Sequence, residues 1–505
     1  MDGITRRGVL GGLLAGTVAG PALAEAPLRS PRPPMRAGQA ATGAAPVAAR
    51  AASAATAPDA TALVAAAQLG GKVGFVVADA RTGQVLEAMN GSEPMPPASV
   101  AKAITALYAL EMLGPGYRFP TRLIGTGPVQ GGVLRGDLVL AGGGDPTLET
   151  DTLGDMAAAL RGAGVGGIAG RFLVWDGALP FVRAIDTSQP DWLGYNPAVG
   201  GLNLNFNRVH FEWRRAQGGW QLSMDARGNR YVPKAYTTRM ALANRDLPVY
   251  TYSDRGKVEE WTVAASALGN GGSRWLPVRK PDAYAGDVFQ TLARAQGIAL
   301  PDPQSLRGRP EGRVLVERAS VDLRPMLFDM LKYSNNLTAE AVGMAASLRR
   351  GVGSHSGSGP AMSDWLAGRA GAQSRFVDHS GLGGASRISA QDMVAALARL
   401  GPQHQLRGLM KEFVMRDANG KAVPNHPVRV EAKTGTLNFV STLAGWIGTP
   451  SGGDLVFAIF TGDVARRDSI PDSLRERPPG GREWVSRSKR LQQQLIERWA
   501  AVYAA

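Results

Sequence analysis

Three short apolar runs near the C-terminus place the strongest constraint on how this 505-residue chain can fold. Val428–Thr436, Leu443–Ile447 and Leu455–Thr461 are each of strand length, and only a few residues separate one from the next. Such runs are typical of three buried strands that pair in sequence order as a meander. A basic helix is predicted to follow from about Arg482. The fold class expected for this part is therefore α/β (α+β), an antiparallel sheet flanked by helices.

A strand hairpin that leads into a helix is predicted near the start of the folded sequence, which begins near Thr61. Val73–Asp79 and Val85–Ala88 alternate well enough to form a β-hairpin around an Arg-Thr-Gly turn. Two prolines then interrupt the chain, and apolar residues with helical spacing extend from Ser99 to Leu113. The helix is therefore expected to begin at Ser99.

The middle of the chain has a different character. Short β-like runs rich in glycine and aromatic residues extend from about residue 119 to about residue 280. Helical spacing returns at Gly286–Gly297 and Leu323–Tyr333, and a Gly/Ser loop is predicted at Gly351–Gly359 before further helices. We therefore expect a β-rich inserted domain or domains at residues 119–280, within an α/β unit formed by residues 61–118 and 281–505.

The first residues have the composition of an export signal. Arg6 and Arg7 precede a mildly apolar run that ends in an Ala-Leu-Ala cleavage site at residues 22–24. This pattern predicts a twin-arginine signal peptide at residues 1–24, so the protein is expected to be periplasmic or otherwise exported. The apolar run is too short and too interrupted for a transmembrane anchor in the mature chain. Residues 25–60, rich in Ala, Pro and Arg, are predicted to be a disordered linker.

Composition excludes several kinds of function. Cysteine is absent, so a thiol nucleophile is impossible, and the five histidines are scattered without metal-ligand spacing. Neither a metal nor another cofactor is expected. A net charge of +14 favours anionic partners, but the basic residues are spread along the chain without a nucleic-acid-binding motif. The anionic cell envelope is therefore the expected partner, and nucleic acid is not.

The first motif with chemical content is Ser99-Val100-Ala101-Lys102 at the start of the predicted helix. A hydroxyl and an amine three residues apart lie on one helix face, where they can meet. The amine can take the proton of a serine nucleophile when burial and the helix N-terminus lower its pKa. A second Ser-x-x-Lys, Ser486–Lys489, lies in the charged C-terminal helix and is interpreted as part of a solvated face.

Two further motifs are weak when taken alone. Ser334-Asn335-Asn336 directly follows an apolar helix, where it could be an ordinary helix-ending turn. Lys433-Thr434-Gly435-Thr436 ends a buried strand, where a lysine often only protects a sheet edge. Their meaning depends on their occurrence together with Ser99 and Lys102.

In this order, the three motifs resemble those of active-site serine penicillin-binding proteins and serine β-lactamases. The long gap between Ser99 and Ser334 resembles the class C low-molecular-mass penicillin-binding proteins, the D-alanyl-D-alanine carboxypeptidase/endopeptidase family, whose extra domains lie in this gap. The resemblance covers Thr61 to the C-terminus and includes a Gly-Asp-Pro segment ending at Pro146. It also includes residues 378–382, with His379 in place of a family glycine. The family arginine that follows aligns with Gly384.

The resemblance implies a role for each catalytic residue. Ser99 would attack the carbonyl between two D-alanines and Lys102 would act as its general base. Ser334 would relay a proton to the leaving amine, and Asn336 would hold the substrate amide and Lys102. Lys433 would face the terminal carboxylate of the substrate.

The remaining implied roles concern substrate binding. Thr434 would join Lys433 at the carboxylate, and Gly435 would let a substrate strand approach the backbone. The N–H groups of Ser99 and Thr436 would form the oxyanion hole. In the inserted region, Trp175, Asp176 and Phe181 resemble residues that contact the amine end of the peptide's diamino acid, although Asp176 could equally cap a turn.

The predicted function is that of a serine-type D-Ala-D-Ala carboxypeptidase, with DD-endopeptidase activity, acting on peptidoglycan peptides and inhibited by β-lactam antibiotics. A serine β-lactamase is the alternative, disfavoured by the long insertion and by the lack of a class A Glu-x-x-x-Asn between Asn336 and Lys433. A non-catalytic wall-binding protein would be expected to have lost a motif residue. A Ser-His-Asp hydrolase is disfavoured because no Gly-x-Ser-x-Gly elbow occurs.

Overall fold

A computed structural model describes residues 58–417 and 419–503 of the chain. The predicted signal peptide and residues 25–57 of the predicted linker lie outside the described residues. Among the residues described, no helix combines the length and the apolar composition needed to cross a membrane. The α-helices are α1 (Ala60–Ala66), α2 (Ala101–Leu113), α3 (Thr150–Gly162), α4 (Pro281–Ala295), α5 (Leu323–Tyr333), α6 (Asn336–Leu348), α7 (His355–Ala370), α8 (Ala390–Leu400), α9 (Val464–Asp468) and α10 (Gly481–Val502).

The strands lie in several separate sheets. In chain order they are β1 (Lys72–Asp79), β2 (Val85–Met89), β3 (Pro120–Gly125), β4 (Val129–Gln130), β5 (Val133–Leu134), β6 (Leu138–Gly142), β7 (Gly167–Ile168), β8 (Phe172–Trp175), β9 (Arg208–Ala216), β10 (Gly219–Asp225), β11 (Thr238–Ala243), β12 (Tyr250–Asp254), β13 (Glu259–Ala264), β14 (Gly271–Pro277), β15 (Pro303–Ser305), β16 (Arg313–Ala319), β17 (Ser374–Arg375), β18 (Arg387–Ile388), β19 (Lys411–Glu412), β20 (Arg429–Leu437), β21 (Val440–Gly448) and β22 (Asp454–Gly462).

The main sheet joins the two ends of the folded chain. Its strand order is β19-β20-β21-β22-β1-β2, and every neighbouring pair is antiparallel. The predicted meander, the hairpin and the C-terminal helix are therefore confirmed. The hairpin pairs through β1 with β22, where Val73 lies opposite Thr461.

Helices cover both faces of this sheet. Along β22, Val456, Ala458 and Phe460 belong to one core, which is shared with α2, α6 and α8. Phe457 and Ile459 belong to another core, which is shared with α1 and α10. This alternation follows from the two-residue period of a strand, and it explains why the run is apolar at nearly every position. The predicted α/β class is confirmed.

The inserted segment has its own core around a five-stranded sheet in the order β15-β8-β6-β3-β16. Two three-stranded sheets, β10-β9-β14 and β11-β13-β12, extend it. The structure differs here from the predicted boundary at residue 280. α4 packs Tyr284, Val288 and Leu292 into the core of the insert, and β16 pairs with β3. The insert therefore continues to about residue 319, because α4 and β16 both belong to the β-rich unit.

The predicted Gly/Ser loop at 351–359 is partly wrong, because α7 begins at His355. Ser354 caps the helix and accepts a hydrogen bond from the N–H of Gly357. A Cβ at Gly359 would lie 2.6 Å from the carbonyl oxygen of Phe376, so glycine permits close packing against the next segment. Gly359, one of the small residues that suggested a loop, is instead required where α7 packs closely against the backbone at Phe376.

A second close contact lies between α6 and the segment that follows β17. The side chain of His379 is fully buried, and its Nε2 lies 2.6 Å from the hydroxyl oxygen of Ser358. A Cβ at Gly343 of α6 would lie only 2.1 Å from Cγ of His379. The imidazole at a position where the resembling family has glycine is therefore accommodated by a glycine on the facing helix.

We predict that Gly343→Ala lowers the free energy of unfolding by about 1–3 kcal/mol, because the added methyl overlaps the His379 ring. Chemical denaturation followed by circular dichroism measures this. Gly368→Ala, in α7 with no atom near the new methyl, is the control and should be neutral or stabilising by up to ~1 kcal/mol. In a His379→Gly background, Gly343→Ala should cost little. An equal loss in both backgrounds would contradict the contact.

Candidate active site

Ser99 lies in a short 3₁₀ turn, Ala98–Val100, that leads into α2. Ala98 has a φ of +46°, a left-handed conformation that is costly for alanine. A Cβ at Gly381 would lie 1.8 Å from the carbonyl oxygen of Ala98, so the residues after Asp378 press directly on this turn. Packing from outside therefore holds a strained backbone one residue before the predicted nucleophile.

Lys102 is fully buried in the first turn of α2, and its amine contacts three oxygens. Nζ lies 2.9 Å from Oγ of Ser99, 2.7 Å from Oδ1 of Asn336 and 2.7 Å from the carbonyl oxygen of Ser380. The structure thus brings the first two predicted motifs together. Ser380 supplies a contact that was not predicted.

Burial lowers the pKa of Lys102 to about 7, although the charges of Asp378 and Glu340 act in the opposite direction. A neutral amine has two N–H donors and one lone pair. With the donors directed to Asn336 and Ser380, the lone pair is available to the hydroxyl proton of Ser99. The geometry therefore suits a general base for a serine nucleophile.

The second buried amine is that of Lys433 on β20. Nζ donates to Oγ of Ser334 at 2.9 Å and to the carbonyl oxygen of Thr434 at 2.8 Å. Burial lowers the pKa of Lys433 well below its usual range, and the charges of Lys102 and Lys411 act in the same direction. Ser334 ends α5 in a left-handed conformation with a φ of +58°, which turns the chain between α5 and α6.

Asn336 is the first residue of α6 and connects the insert to the base. Its Oδ1 accepts from Lys102, and its Nδ2 donates to the carbonyl oxygen of Tyr195 at 2.9 Å. The amide donor that was predicted to hold the substrate is thus bonded to a residue of the insert. The sequence gives no signal for Tyr195, because the contact is to its backbone.

Gly435 lies on β20 against the turn that carries Ser99. A Cβ there would lie 2.2 Å from Oγ1 of Thr442 and 2.9 Å from the backbone nitrogen of Ser99. Glycine is thus needed for the fold itself, beside its predicted role towards substrate. Thr434 and Thr436 are exposed and alternate along the strand with buried Lys433 and Gly435.

A buried carboxylate on α6 was missed by the sequence analysis. Both oxygens of Glu340 accept from the backbone N–H of His379, and Oε1 also accepts from that of Ser380 at 2.8 Å. Glu340 lies one helical turn after Asn336, among residues that are otherwise almost all apolar or small. A carboxylate at such a position needs buried partners, and this was the available signal.

Asp176 does not face open solvent as a free carboxylate. Its Oδ1 accepts from the N–H of Leu202, and Oδ2 would be 2.4 Å from a Cβ at Gly200. Burial raises the pKa of Asp176 to about 8, while backbone hydrogen bonds from Leu202 and Gly201 act to lower it. These contacts favour the alternative in which Asp176 caps a turn.

A cleft of about 910 Å³ lies between the insert and the main unit. Residues 181–188 of the insert form one wall, and Phe181, 56% exposed, lies there. The other wall includes Gly383, Gly384 and Arg467. A Cβ at Gly384 would lie 2.1 Å from Nη1 of Arg467, so this guanidinium occupies the space that a side chain at 384 would need.

The fold and the site together define a class, the active-site serine enzymes that recognise penicillin. A half-buried serine contacts a buried amine of lowered pKa, and a second buried lysine contacts a second serine. Three chain segments far apart in sequence supply these groups. The predicted motifs therefore meet in space as well as occurring in the expected order.

The D-Ala-D-Ala carboxypeptidase 3 (S13) family matches residues 59–474, and the chain belongs to this family. It is a serine-type D-Ala-D-Ala carboxypeptidase, and the resemblance to class C low-molecular-mass penicillin-binding proteins is confirmed. A D-alanyl-D-alanine carboxypeptidase of Actinomadura sp. (strain R39) is 28% identical over 437 residues, which cover 76% of this chain and 77% of the relative.

Similarity extends to a second enzyme and to a solved structure. The D-alanyl-D-alanine carboxypeptidase DacB of Haemophilus influenzae is 25% identical over 432 residues, covering 78% of this chain and 87% of that protein. The crystal structure of penicillin-binding protein 4 from the same organism superposes with a TM-score of 0.70 at 21% identity. The superposition covers 87% of this chain and 99% of that one, and confirms the fold.

We predict that acylation of Ser99 by a β-lactam depends on the neutral form of Lys102. Below its pKa of about 7, the rate should fall about tenfold for each pH unit, and above it the rate should level off. The second-order rate constant for labelling with a fluorescent penicillin, measured across this range, tests the prediction. A rate constant that does not change on either side of pH 7 would exclude Lys102 as the base.

Proposed function

We propose that this enzyme is an exported wall hydrolase that removes the terminal D-alanine of peptidoglycan peptides and also cuts their cross-links, through an acyl-enzyme on Ser99. The observation that carries the proposal is the contact of 2.9 Å between the Ser99 hydroxyl and the buried amine of Lys102. Family membership supplies the substrate class.

The contacts of Lys102 suggest how the first step proceeds. Oγ of Ser99 attacks the carbonyl of the penultimate D-alanine while its proton passes to Nζ of Lys102. The resulting ammonium keeps its two contacts, to Oδ1 of Asn336 and the Ser380 carbonyl. These acceptors are fixed before the charge forms, so little reorganisation is needed.

Collapse of the tetrahedral intermediate requires a proton on the departing amine. Ser334 is proposed to relay to it the proton that Lys102 took from Ser99, while the contact with Lys433 orients the Ser334 hydroxyl. Lys102 is then neutral again when water attacks the ester. The oxyanion would be held by the N–H groups of Ser99 and Thr436. Losing one such donor typically costs about 10²-fold or more in rate. Water then hydrolyses the ester and frees Ser99.

Lys433 is proposed to recognise the terminal carboxylate with Thr434. The ammonium form of Lys433 is disfavoured while it is buried beside Lys102 without a negative charge. A bound carboxylate would supply that charge and favour the ammonium form. Binding of a substrate with a free terminal carboxylate would therefore favour protonation of Lys433, and protonation of Lys433 would strengthen binding of that substrate.

A β-lactamase and a non-catalytic wall protein are the alternatives. Membership of the carboxypeptidase family disfavours the former. The contacts among the motif residues disfavour a non-catalytic wall protein. Two buried amines are costly to stability, and a protein without catalytic activity would not be expected to retain them.

Two measurements distinguish the carboxypeptidase, the β-lactamase and the non-catalytic protein: mass spectrometry of the intact protein for an adduct, and an assay of released D-alanine. With benzylpenicillin we expect one long-lived adduct per chain, because the ring-opened leaving group stays tethered and blocks water. With a peptide ending in D-Ala-D-Ala we expect repeated release of D-alanine. Ser99→Ala should abolish both, and Ser486→Ala, in the exposed second Ser-x-x-Lys, should change neither.

Other outcomes would overturn the assignment. Rapid turnover of penicillin without release of D-alanine would identify a β-lactamase. A protein that gives neither adduct nor product would be non-catalytic. Release of D-alanine from monomeric peptides, with no cleavage of a cross-linked dimer, would remove the endopeptidase part alone.

The wall of the cleft at Gly384 bears on substrate preference. The family arginine that helps to hold the substrate side chain aligns with Gly384, and here Arg467 occupies that space. We propose that Arg467 takes over the contact from α9. Its guanidinium is only 16% exposed and its ion pair with Asp468 is long, at 3.9 Å, so its N–H groups can donate to a substrate carboxylate.

Arg467→Gln should lower kcat/KM about tenfold for peptides whose diamino acid side chain carries a carboxylate. Peptides with lysine at that position should be unaffected. Arg466→Gln, which removes the neighbouring guanidinium lying over the Phe439 ring, is the matched control. Equal losses on the two substrates would show that Arg467 has no part in selecting the side chain.

Export is proposed from the leader alone. Arg6 and Arg7 suit the twin-arginine route, and a wall substrate requires a location outside the cytoplasm. The net charge of +14 would favour attraction to anionic wall polymers.

A further inference from the structure

Glu340 lies within the main core, close to Lys102, and belongs to none of the three motifs. Its side chain is fully buried. It accepts hydrogen bonds from two successive backbone N–H groups, those of His379 and Ser380. Buried carboxylates are costly unless several donors satisfy them, so the arrangement is specific.

Ser380 is the single residue that links the carboxylate of Glu340 to the amine of Lys102. Its N–H donates to Glu340 at 2.8 Å, and its carbonyl oxygen accepts from Nζ of Lys102 at 2.7 Å. A shift of Ser380 would therefore move an acceptor of the catalytic amine. Glu340 is thus coupled to Lys102 by position as well as by charge.

His355 is the remaining partner of Glu340. Nε2 of His355, in the first turn of α7, lies 3.2 Å from Oε2 of Glu340. The imidazole is 20% exposed and lines the 910 Å³ cleft, so it can exchange protons with solvent. Burial would lower the pKa of His355, but the hydrogen bond and charge of Glu340 raise it overall.

Other charged groups also face this cluster. Asp378 accepts from the N–H groups of Gly381 and Gly383 and favours the charged form of Lys102. The amine of Lys433 interacts with that of Lys102, and burial disfavours its ammonium form. His379 is neutral, because burial lowers its pKa to about 4. Burial and the charge of Glu340 raise the pKa of Asp378 to about 7, so Asp378 also titrates near neutral pH. His355 is the partner of Glu340 whose side chain is partly exposed in the cleft.

We propose that Glu340 and His355 are a pair of positioning residues for the general base. Glu340 holds the Ser380 carbonyl against Lys102, and His355 offsets the charge that Glu340 exerts on the amine. The inference rests on the proposed role of Lys102 and adds two residues that the motifs do not contain.

The sign of the effect follows from the charges. Without His355, the uncompensated carboxylate favours the ammonium form of Lys102, and the pKa of that amine rises. Without the charge of Glu340, the ammonium form is less favoured and the pKa falls. The two changes therefore move the pH dependence of acylation in opposite directions.

The test is the pH profile of acylation by fluorescent penicillin in three variants of the full chain. His355→Asn should move the acidic limb about one pH unit higher, so that the rate near pH 6 falls about tenfold while the plateau changes little. Glu340→Gln should move the limb lower and reduce the plateau, because a neutral amide holds Ser380 less firmly. His404→Asn is the control.

His404 makes a similar pair with Glu111, at 3.5 Å and 18% exposed, without contact to Ser380. Its loss should leave the limb in place. A lower plateau with an unmoved limb in His355→Asn would show a purely structural role and overturn the proposal. If Glu340→Gln does not fold, as judged by thermal melting, His355→Asn decides alone. A wild-type profile without a limb near pH 7 would instead refute the proposed base.

Discussion

The burial of one amine organises this molecule. Lys102 has no exposed surface, and an unpaired amine in such a place would cost several kcal/mol. Its three partners come from the preceding turn, from the start of α6 and from the segment after Asp378. These segments must therefore meet at α2. The lowered pKa is a consequence of the same burial, so packing and reactivity have a single cause.

The insert takes part in this arrangement. Asn336, which accepts from Lys102, also donates to the carbonyl of Tyr195, so the orientation of its amide depends on a residue of the insert. The same unit forms one wall of the cleft through residues 181–188. It thus orients a residue that contacts the buried amine and also forms part of the cleft.

The sequence predicted the elements with strong local patterns. The C-terminal meander, the hairpin and α2 were recognisable because strand and helix periods are local properties of the chain. The motif residues were predicted because three motifs, each weak alone, occur in the order found in a known family. The predicted boundary at residue 280 was wrong because the helical pattern of α4 does not show which core the helix packs into. Glu340 and Tyr195 were missed because each of their contacts joins a side chain to a backbone atom distant in sequence, which leaves no motif.

The strand order of the main sheet also determines at what stage of synthesis and folding the active site can form. β1 lies beside β22, so the first strand of the described residues pairs with the last of them. Contacts of such large sequence separation form slowly, since the entropy of closing the intervening chain must be overcome first. Ser99 is synthesised early, but Lys433 and the strand that presses Gly435 against its turn come near the end. A nascent or truncated chain thus carries the nucleophile without its surroundings, and reactivity arises only when nearly all of the polypeptide is available to fold.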